Sequence, residues 1–259
     1  MSDPELQFLE IGSDAKKRNI ALRFRPSQAK SAPTLVWLNG LRSDMGSTKA
    51  SALDAWCAAQ DRALMRFDYS GHGASSGRFE AGALSLWLEE TLGVLDTISD
   101  GPLALVGSSM GGYLALLAAR ALHGRGQAER LKAMVLIAPA VDMTHALMAS
   151  GDAADAQAAL ARDGVWMRPS AYGEAMPITR ALIDDGAQHL LLGGTVRSYC
   201  PTRILQGMLD AEVPWRHAVT LVEHMPLDPV TLTLVRDGEH RLSRQQDLHL
   251  LFQAVRDIA

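Results

Sequence analysis

The sequence contains little cysteine and no long hydrophobic run. Its 259 residues include only two cysteines, Cys57 and Cys200. Two cysteines are too few for a disulfide framework or a cysteine-rich metal cluster. The longest apolar stretches, Leu114–Ala119 and Ala133–Val141, are far shorter than the roughly 20 residues that a membrane-spanning helix needs. We therefore expect no stable membrane span and no cysteine metal cluster.

Positive charge is also scarce, because 25 Lys and Arg residues are outnumbered by 29 Asp and Glu residues. A net charge of −4 argues against a nucleic-acid partner, since such proteins hold phosphates with a basic surface. The acidic N-terminus, Met1–Glu5, lacks the basic and apolar regions of a secretory signal. We expect a cytoplasmic protein. Its hydrophobic content of 47% is enough for a large core.

Short apolar runs alternate with amphipathic stretches along most of the chain. The predicted strands are Phe8–Ile11, Ile20–Phe24, Leu35–Leu38, Leu64–Tyr69, Leu103–Val106, Met134–Ile137, Arg203–Leu205 and Thr231–Val235. The predicted helices between them are Ser51–Gln60, Leu84–Ile98, Tyr113–Leu122, Trp215–His224 and Gln245–Ile258. Strands that are apolar at consecutive positions are typical of a parallel sheet covered on both faces. The pattern predicts an α/β fold with a mostly parallel eight-stranded sheet and helices on both faces.

The alternation stops between Val141 and about Cys200, where no strand is evident. We expect residues 141–200 to form a helical lid over the carboxyl edge of the sheet, with Asp152–Arg162 and Ile178–His189 as helices. The core of the fold would then consist of residues 1–140 and 201–259. Apolar side chains of the lid would either line a pocket or pack as lid core; they are Leu147, Met148, Val165, Trp166, Met167, Leu182 and Ile183.

The segment Gly107–Gly111 fits the pattern G-x-S-x-G, with Ser109 at its centre. A predicted strand comes directly before it and a predicted helix directly after it. This is the context of a nucleophile elbow, a strained turn that places a serine hydroxyl above the sheet edge. The flanking glycines are needed because side chains there would clash with the neighbouring strand and helix. Ser109 is therefore the candidate nucleophile.

A serine nucleophile needs a histidine base, and the histidine needs a carboxylate, in the chain order serine, acid, histidine. Of eight histidines, only His240 lies on a short polar loop after the last predicted strand. Asp210 follows the preceding strand, at the same sheet edge, and would orient the imidazole. Glu212 and Asp237 remain competitors for the role of the acid.

Two backbone N–H groups would form an oxyanion hole. One belongs to Met110, the residue after the nucleophile, and the other comes from the loop after the third strand. In this sequence that loop contains Asn39-Gly40-Leu41, and the N–H of Leu41 is the candidate donor.

These residues together resemble the α/β-hydrolase superfamily over nearly the whole chain. The segment 67–75 is similar to the D-x-x-G-x-G-x-S motif of that superfamily. A narrower resemblance, to the palmitoyl-protein thioesterase group of the abhydrolase-domain proteins, rests on several segments; they are 39–50, 66–71, 100–112, 164–170 and 207–215. This chain resembles a bacterial member of that group. The resemblance implies the roles above for Ser109, Asp210 and His240, and hydrolysis of S-acyl thioesters and of some acyl-glucuronide esters.

The expected function is thus that of a serine hydrolase without metal or cofactor. Its substrate would be a small acyl ester or thioester, or an S-acylated protein. Carbon–carbon bond hydrolases and perhydrolases of the same fold share the serine, aspartate and histidine, and stay as alternatives. A non-catalytic ligand receptor on this fold is the alternative from a different class. The sequence carries no distinctive signal for an oligomeric state.

Overall fold

The computed structural model describes residues 3–13, 17–29, 32–98, 101–148, 153–169 and 174–258. Its strands are β1 Gln7–Ile11, β2 Arg18–Arg25, β3 Thr34–Leu38, β4 Leu64–Phe67, β5 Leu103–Ser108, β6 Leu131–Ile137, β7 Val165–Arg168, β8 Met176–Thr179, β9 Thr202–Gly207 and β10 Val230–Val235. Its helices are α1 Thr48–Ala59, α2 Leu84–Thr97, α3 Met110–Gly124, α4 Met143–Met148, α5 Ala153–Asp163, α6 Arg180–Gly186, α7 Trp215–Glu223 and α8 Gln245–Ile258.

Eight strands form one sheet in the order β1-β2-β4-β3-β5-β6-β9-β10. The pairs β1–β2 and β2–β4 are antiparallel. The pairs from β4–β3 through to β9–β10 are parallel. The predicted eight-stranded, mostly parallel sheet is confirmed.

The sheet is covered by helices on both faces because successive strand residues point to opposite sides. In β3, Leu35 and Trp37 join a buried cluster with α1 and α8, while Val36 and Leu38 join another with α2, α3 and α7. All four side chains are almost completely buried. This two-sided burial explains the consecutive apolar residues of the strand.

The two cysteines lie in these two cores. Cys57 of α1 packs in the cluster with α8, and Cys200 packs in the other. Both are free thiols. Burial raises the pKa of each thiol to about 12. They are therefore small, protonated core side chains at neutral pH.

The lid (residues 141–200) is not made of helices alone. The expectation of no strand in this segment is wrong, because β7 and β8 pair antiparallel within it. Each strand has only four residues, and Pro177 lies inside β8, so the sequence gives little alternation to detect. The pairing is held by Trp166 opposite Ile178, both buried. As a result, helix α6 begins at Arg180, two residues later than predicted.

Within the described residues, none of the helices has the length and apolar character that crossing a bilayer would need. The same residues contain no group of three or more His, Cys, Asp or Glu side chains arranged to bind a metal ion.

Candidate active site

Ser109 lies between the end of β5 and the start of α3, in a strained backbone conformation. Its φ is 55° and its ψ is −118°, which is unfavourable for a residue with a side chain. Hydrogen bonds hold the backbone in this state. The N–H of Ser109 donates to the carbonyl of Ile137 at 2.8 Å, and its own carbonyl accepts from Gly112 at 2.9 Å and Ala140 at 3.1 Å.

The glycines on either side of Ser109 allow α3 to approach the sheet closely. A Cβ on Gly107 would lie 2.3 Å from the carbonyl oxygen of Gly111. A Cβ on Gly111 would lie 2.0 Å from the carbonyl oxygen of Leu38, in β3. Neither contact is sterically possible, so the spacing of these glycines around Ser109 is a packing requirement of the turn.

The structure brings Ser109, His240 and Asp210 together at the carboxyl edge of the sheet. His240 Nε2 is 3.1 Å from Ser109 Oγ. His240 Nδ1 is 2.8 Å from Asp210 Oδ2. The side chain of Asp210 is fully buried and that of His240 is 16% exposed. This order of contacts is the arrangement that lets a carboxylate orient an imidazole toward a serine hydroxyl.

The two competing carboxylates are engaged elsewhere. Glu212 forms an ion pair with Arg168 at 2.8 Å. Asp237 pairs with Arg244 at 2.8 Å, and its side chain is 64% exposed. Arg244 lowers the pKa of the Asp237 carboxyl by hydrogen bonding to it. The geometry thus favours Asp210 as the partner of His240.

Gln206 is a polar residue of this site that the sequence reasoning missed. It lies near the end of β9 and is completely buried. Its Nε2 donates to Asp210 Oδ2 at 3.0 Å and to the Val213 carbonyl at 3.0 Å. Asp210 Oδ1 accepts from the N–H groups of Glu212 and Val213 at 2.9 and 2.8 Å. The carboxylate is therefore held on both oxygens, and a glutamine next to a predicted strand, four positions before Asp210, was the available signal.

The loop after β3 is anchored by a buried asparagine. Asn39 Oδ1 accepts from Trp37 Nε1 at 2.7 Å, and Asn39 Nδ2 donates to the Phe67 carbonyl at 2.7 Å. A Cβ on the next residue, Gly40, would lie 3.3 Å from Ser109 Cβ. Leu41 follows Gly40 and lines the same cavity as Ser109. Met110 begins α3. Met110 thus follows Ser109 directly in the chain, while the loop that carries Leu41 comes close to Ser109 in space.

Asp68 explains why the segment 67–75 has its pattern. Its Oδ1 accepts from Met45 N at 2.6 Å, in the loop after β3, and its Oδ2 accepts from Ala74 N at 2.9 Å. Its carbonyl accepts from Ser75 Oγ at 2.6 Å. Burial raises the pKa of the Asp68 carboxyl, although these two N–H groups oppose the shift. The motif therefore ties the loop after β4 to the loop that carries Leu41.

A cavity of about 1060 Å³ opens above Ser109 and His240. Its apolar lining from the lid consists of Val141, Met143, Ala146 and Met176. Of the two alternatives for the apolar lid residues, pocket lining does not hold for five of them, because none of these five lines the cavity; they are Val165, Trp166, Met167, Leu182 and Ile183. Trp166 and Leu182 pack in the core below the lid, and Met167 is 53% exposed. The side chains of Leu147 and Met148 lie outside the described part of the structure.

The lid contacts the core beside both halves of the candidate site. Arg42, next to Leu41, donates from Nη1 to the Ala175 carbonyl of the lid at 3.1 Å. Arg168, at the end of β7, pairs with Glu212, two residues after Asp210. One lid contact thus lies on the loop after β3 and the other on the loop after β9.

Known proteins similar to this chain are hydrolases. A family model described as serine aminopeptidase, S33 (Hydrolase_4), matches residues 29–190. The mitochondrial palmitoyl-protein thioesterase ABHD10 of Mus musculus is 33% identical over 232 residues, which cover 87% of this chain and 75% of that protein. Its Homo sapiens counterpart is 32% identical over 239 residues, covering 92% and 76%.

Two solved structures resemble the chain over almost its full length. A putative hydrolase from Agrobacterium vitis S4 has a TM-score of 0.93 and 45% identity, covering 98% of both chains. The alpha/beta hydrolase domain-containing protein 10 from mouse has a TM-score of 0.84 and 31% identity, covering 98% of this chain and 97% of that one.

Proposed function

This chain belongs to the Hydrolase_4 family of α/β hydrolases, and from that premise we propose that it is a serine hydrolase of acyl thioesters and esters. The observation that carries the proposal is the pair of contacts on His240. Its Nε2 lies 3.1 Å from Ser109 Oγ, and its Nδ1 lies 2.8 Å from Asp210 Oδ2. Both distances are short enough for a hydrogen bond, which a proton transfer between the two groups requires.

In the first half-reaction, His240 Nε2 accepts the hydroxyl proton of Ser109 while Oγ attacks the acyl carbon. The negative charge that develops on the acyl oxygen is held by the N–H groups of Leu41 and Met110. Asp210 keeps Nδ1 of the imidazole protonated and stabilises the imidazolium, without taking the proton itself. His240 then donates its proton to the leaving thiol or alcohol, and the acyl group remains on Ser109.

In the second half-reaction, His240 accepts a proton from water, and the resulting hydroxide attacks the acyl-enzyme. The tetrahedral intermediate uses the same two N–H donors. When it collapses, the carboxylic acid leaves and Ser109 Oγ recovers its proton from His240. All steps use only side chains and backbone groups of this chain, so the proposal requires no metal or cofactor.

The acyl group would lie against the lid. Val141, Met143, Ala146 and Met176 form an apolar wall on that side of the cavity, and methionine adapts to flexible alkyl chains. The relatives named as palmitoyl-protein thioesterases support S-acyl thioesters, small or protein-bound, as the substrate class.

Steady-state hydrolysis of acyl thioesters and esters of increasing chain length tests the proposal. We expect Ser109→Ala to lower the rate by about a thousandfold or more. Ser51→Ala, an exposed change on α1, is the matched control and should keep nearly the full rate. A wild-type protein as inert as Ser109→Ala would refute the proposal; binding of an acyl ligand without product release would then indicate a receptor.

A further inference from the structure

The wall of the cavity is positively charged, although the chain as a whole carries a net charge of −4. The cationic residues on it are Arg42, Lys49, Arg168, Arg216 and Arg241. The carboxylates on it are Glu174 and Glu212. Arg168 and Glu212 neutralise each other in an ion pair of 2.8 Å. The remaining wall has several cations and one carboxylate, which favours an anionic ligand.

Three of these cations contact groups that carry no net charge. Lys49 Nζ donates to the backbone carbonyl of Arg241. Arg42 Nη1 donates to the Ala175 carbonyl at 3.1 Å. The guanidinium of Arg216 lies 4.4 Å from the centre of the Trp215 ring. A carbonyl and an aromatic ring carry no net charge, so none of these three contacts neutralises the cation it involves.

Lys49 is the most constrained of them. The pKa of its ammonium is lowered to about 8, mainly by burial and also by the nearby Arg241, while Asp247 and Glu239 oppose the shift. The charged form is thus disfavoured by desolvation and by a like charge. An anion bound beside Lys49 would favour the charged form and so offset both effects.

The apolar side of the cavity and most of its cations come from different parts of the chain, since only Arg168 among the five cations belongs to the lid. The lid contributes the apolar side, as described above. The polar side comes from the loop before α1, the start of α1 and the loop after His240; its members are Ser43, Ser47, Thr48, Lys49, Arg241 and Ser243. An acyl chain fits the first side. The leaving group of a bound substrate would therefore extend toward the second.

We propose that the leaving group is a polyanionic, phosphorylated thiol, so that the substrate is an acyl thioester of the coenzyme A class. This inference rests on the proposed function and narrows it. A single carboxylate would need only one of the cations, whereas a thiol with several phosphate charges would pair with Arg42, Lys49 and Arg216 together. Lysine and arginine are the side chains that proteins use for phosphate groups.

The test compares one acyl group on two thiols. Coenzyme A carries the phosphates, and N-acetylcysteamine is the neutral fragment of the same thiol end. We expect the ratio of kcat/KM for the two thioesters to favour coenzyme A. The ratio should fall about tenfold in a Lys49→Met/Arg216→Gln variant. It should also fall when the ionic strength rises from about 0.05 M to about 0.5 M.

A control variant removes a lysine charge far from the site. Lys132 is exposed at the start of β6, whereas Ser109 lies at the sheet edge where that strand ends. Lys132→Met should therefore leave the ratio of kcat/KM at its wild-type value. Free coenzyme A is a second probe that needs no turnover. It should bind Ser109→Ala in calorimetry, and more weakly when Arg216→Gln is added, even if the Lys49 variant does not fold.

The outcomes separate the two proposals. If the neutral thioester is cleaved through Ser109 but the ratio does not respond to the variants or to salt, the polyanion proposal fails and the serine hydrolase stands. If a thioester of 3-mercaptopropionate, with one carboxylate, is cleaved as well as the coenzyme A thioester, only one charge is recognised and the proposal also fails. If no thioester is cleaved through Ser109, the proposed function itself fails.

Discussion

A buried histidine outside the candidate triad should make the stability of this protein sensitive to mild acid. His72 is only 4% exposed. The rings of Tyr69, Phe79 and Trp87 surround it, with ring centres 5.7, 5.4 and 5.3 Å away. Its Nδ1 lies 3.2 Å from the Ser70 carbonyl. Among the described residues, its Nε2 has no hydrogen-bond partner, so a second proton would be buried without an acceptor.

This environment fixes the sign of the pH effect. Burial lowers the pKa of His72 from 6.5 to about 4 in the folded state. In the unfolded chain the imidazole regains its ordinary value. Between these two pKa values the unfolded state binds a proton that the folded state does not, so stability is lost as the pH falls from about 6.5 toward 4. At pH 5 the loss amounts to about 2 kcal/mol.

Urea unfolding at about pH 7.5 and pH 5 measures this effect in the wild type and in His72→Phe. Phenylalanine keeps the aromatic packing and cannot titrate. Other histidines contribute to both proteins equally, so only the difference between their pH dependences matters. We expect the free energy of unfolding of the wild type to fall by about 2 kcal/mol more than that of the variant. Equal losses in the two proteins would refute the reasoning, because His72 would then be protonated without cost in the fold.

Three further predictions concern the site and its supports. Gln206→Leu removes the side-chain amide that donates to the buried Asp210 carboxylate. We expect kcat to fall at least about tenfold in a folded protein, since a hydrogen bond to a charged group contributes about 1.5–3 kcal/mol. An unchanged kcat would show that the backbone donors to Asp210 suffice. Gly111→Ala would place a Cβ against a strand carbonyl, so its Tm should fall sharply or no soluble protein should form. A double-mutant cycle on the free energy of unfolding, with Arg168→Met and Glu212→Gln, should give a coupling energy of about 1 kcal/mol or less, because both side chains are partly exposed. A much larger coupling energy would mean that the pair positions the lid.

The central sheet and the candidate site could be predicted because both follow from residue patterns within short segments of the sequence. The strands of the core are continuously apolar, and the turn around Ser109 needs glycines for steric reasons that act within a few residues. Asp210 and His240 could be proposed because the carboxyl ends of parallel strands meet at one edge. The roles of these residues remain predictions, whereas their positions relative to one another are observed.

The lid and the supporting contacts could not be predicted in the same way. The pairing of β7 with β8 depends on contacts between two four-residue segments, each too short to show a period. Gln206 donates to Asp210, 4 positions away, and Lys49 donates to the Arg241 carbonyl, 192 positions away. Only the folded chain shows which way each of these side chains points. The residues that line the cavity depend on how each lid element is rotated about its own axis. The side chain of Trp166 packs in the core and does not line the cavity.

The burial of Cys57 and Cys200 has a consequence for an enzyme that would work on thioesters. At pH 7 a thiol with a pKa of about 12 is a thiolate in only about one molecule in 10⁵. Neither sulfur can therefore compete with water for the acyl group on Ser109, or exchange with the thiol that a substrate releases. Reagents that trap thiols would report the product alone, so hydrolysis could be followed continuously in the presence of the native protein.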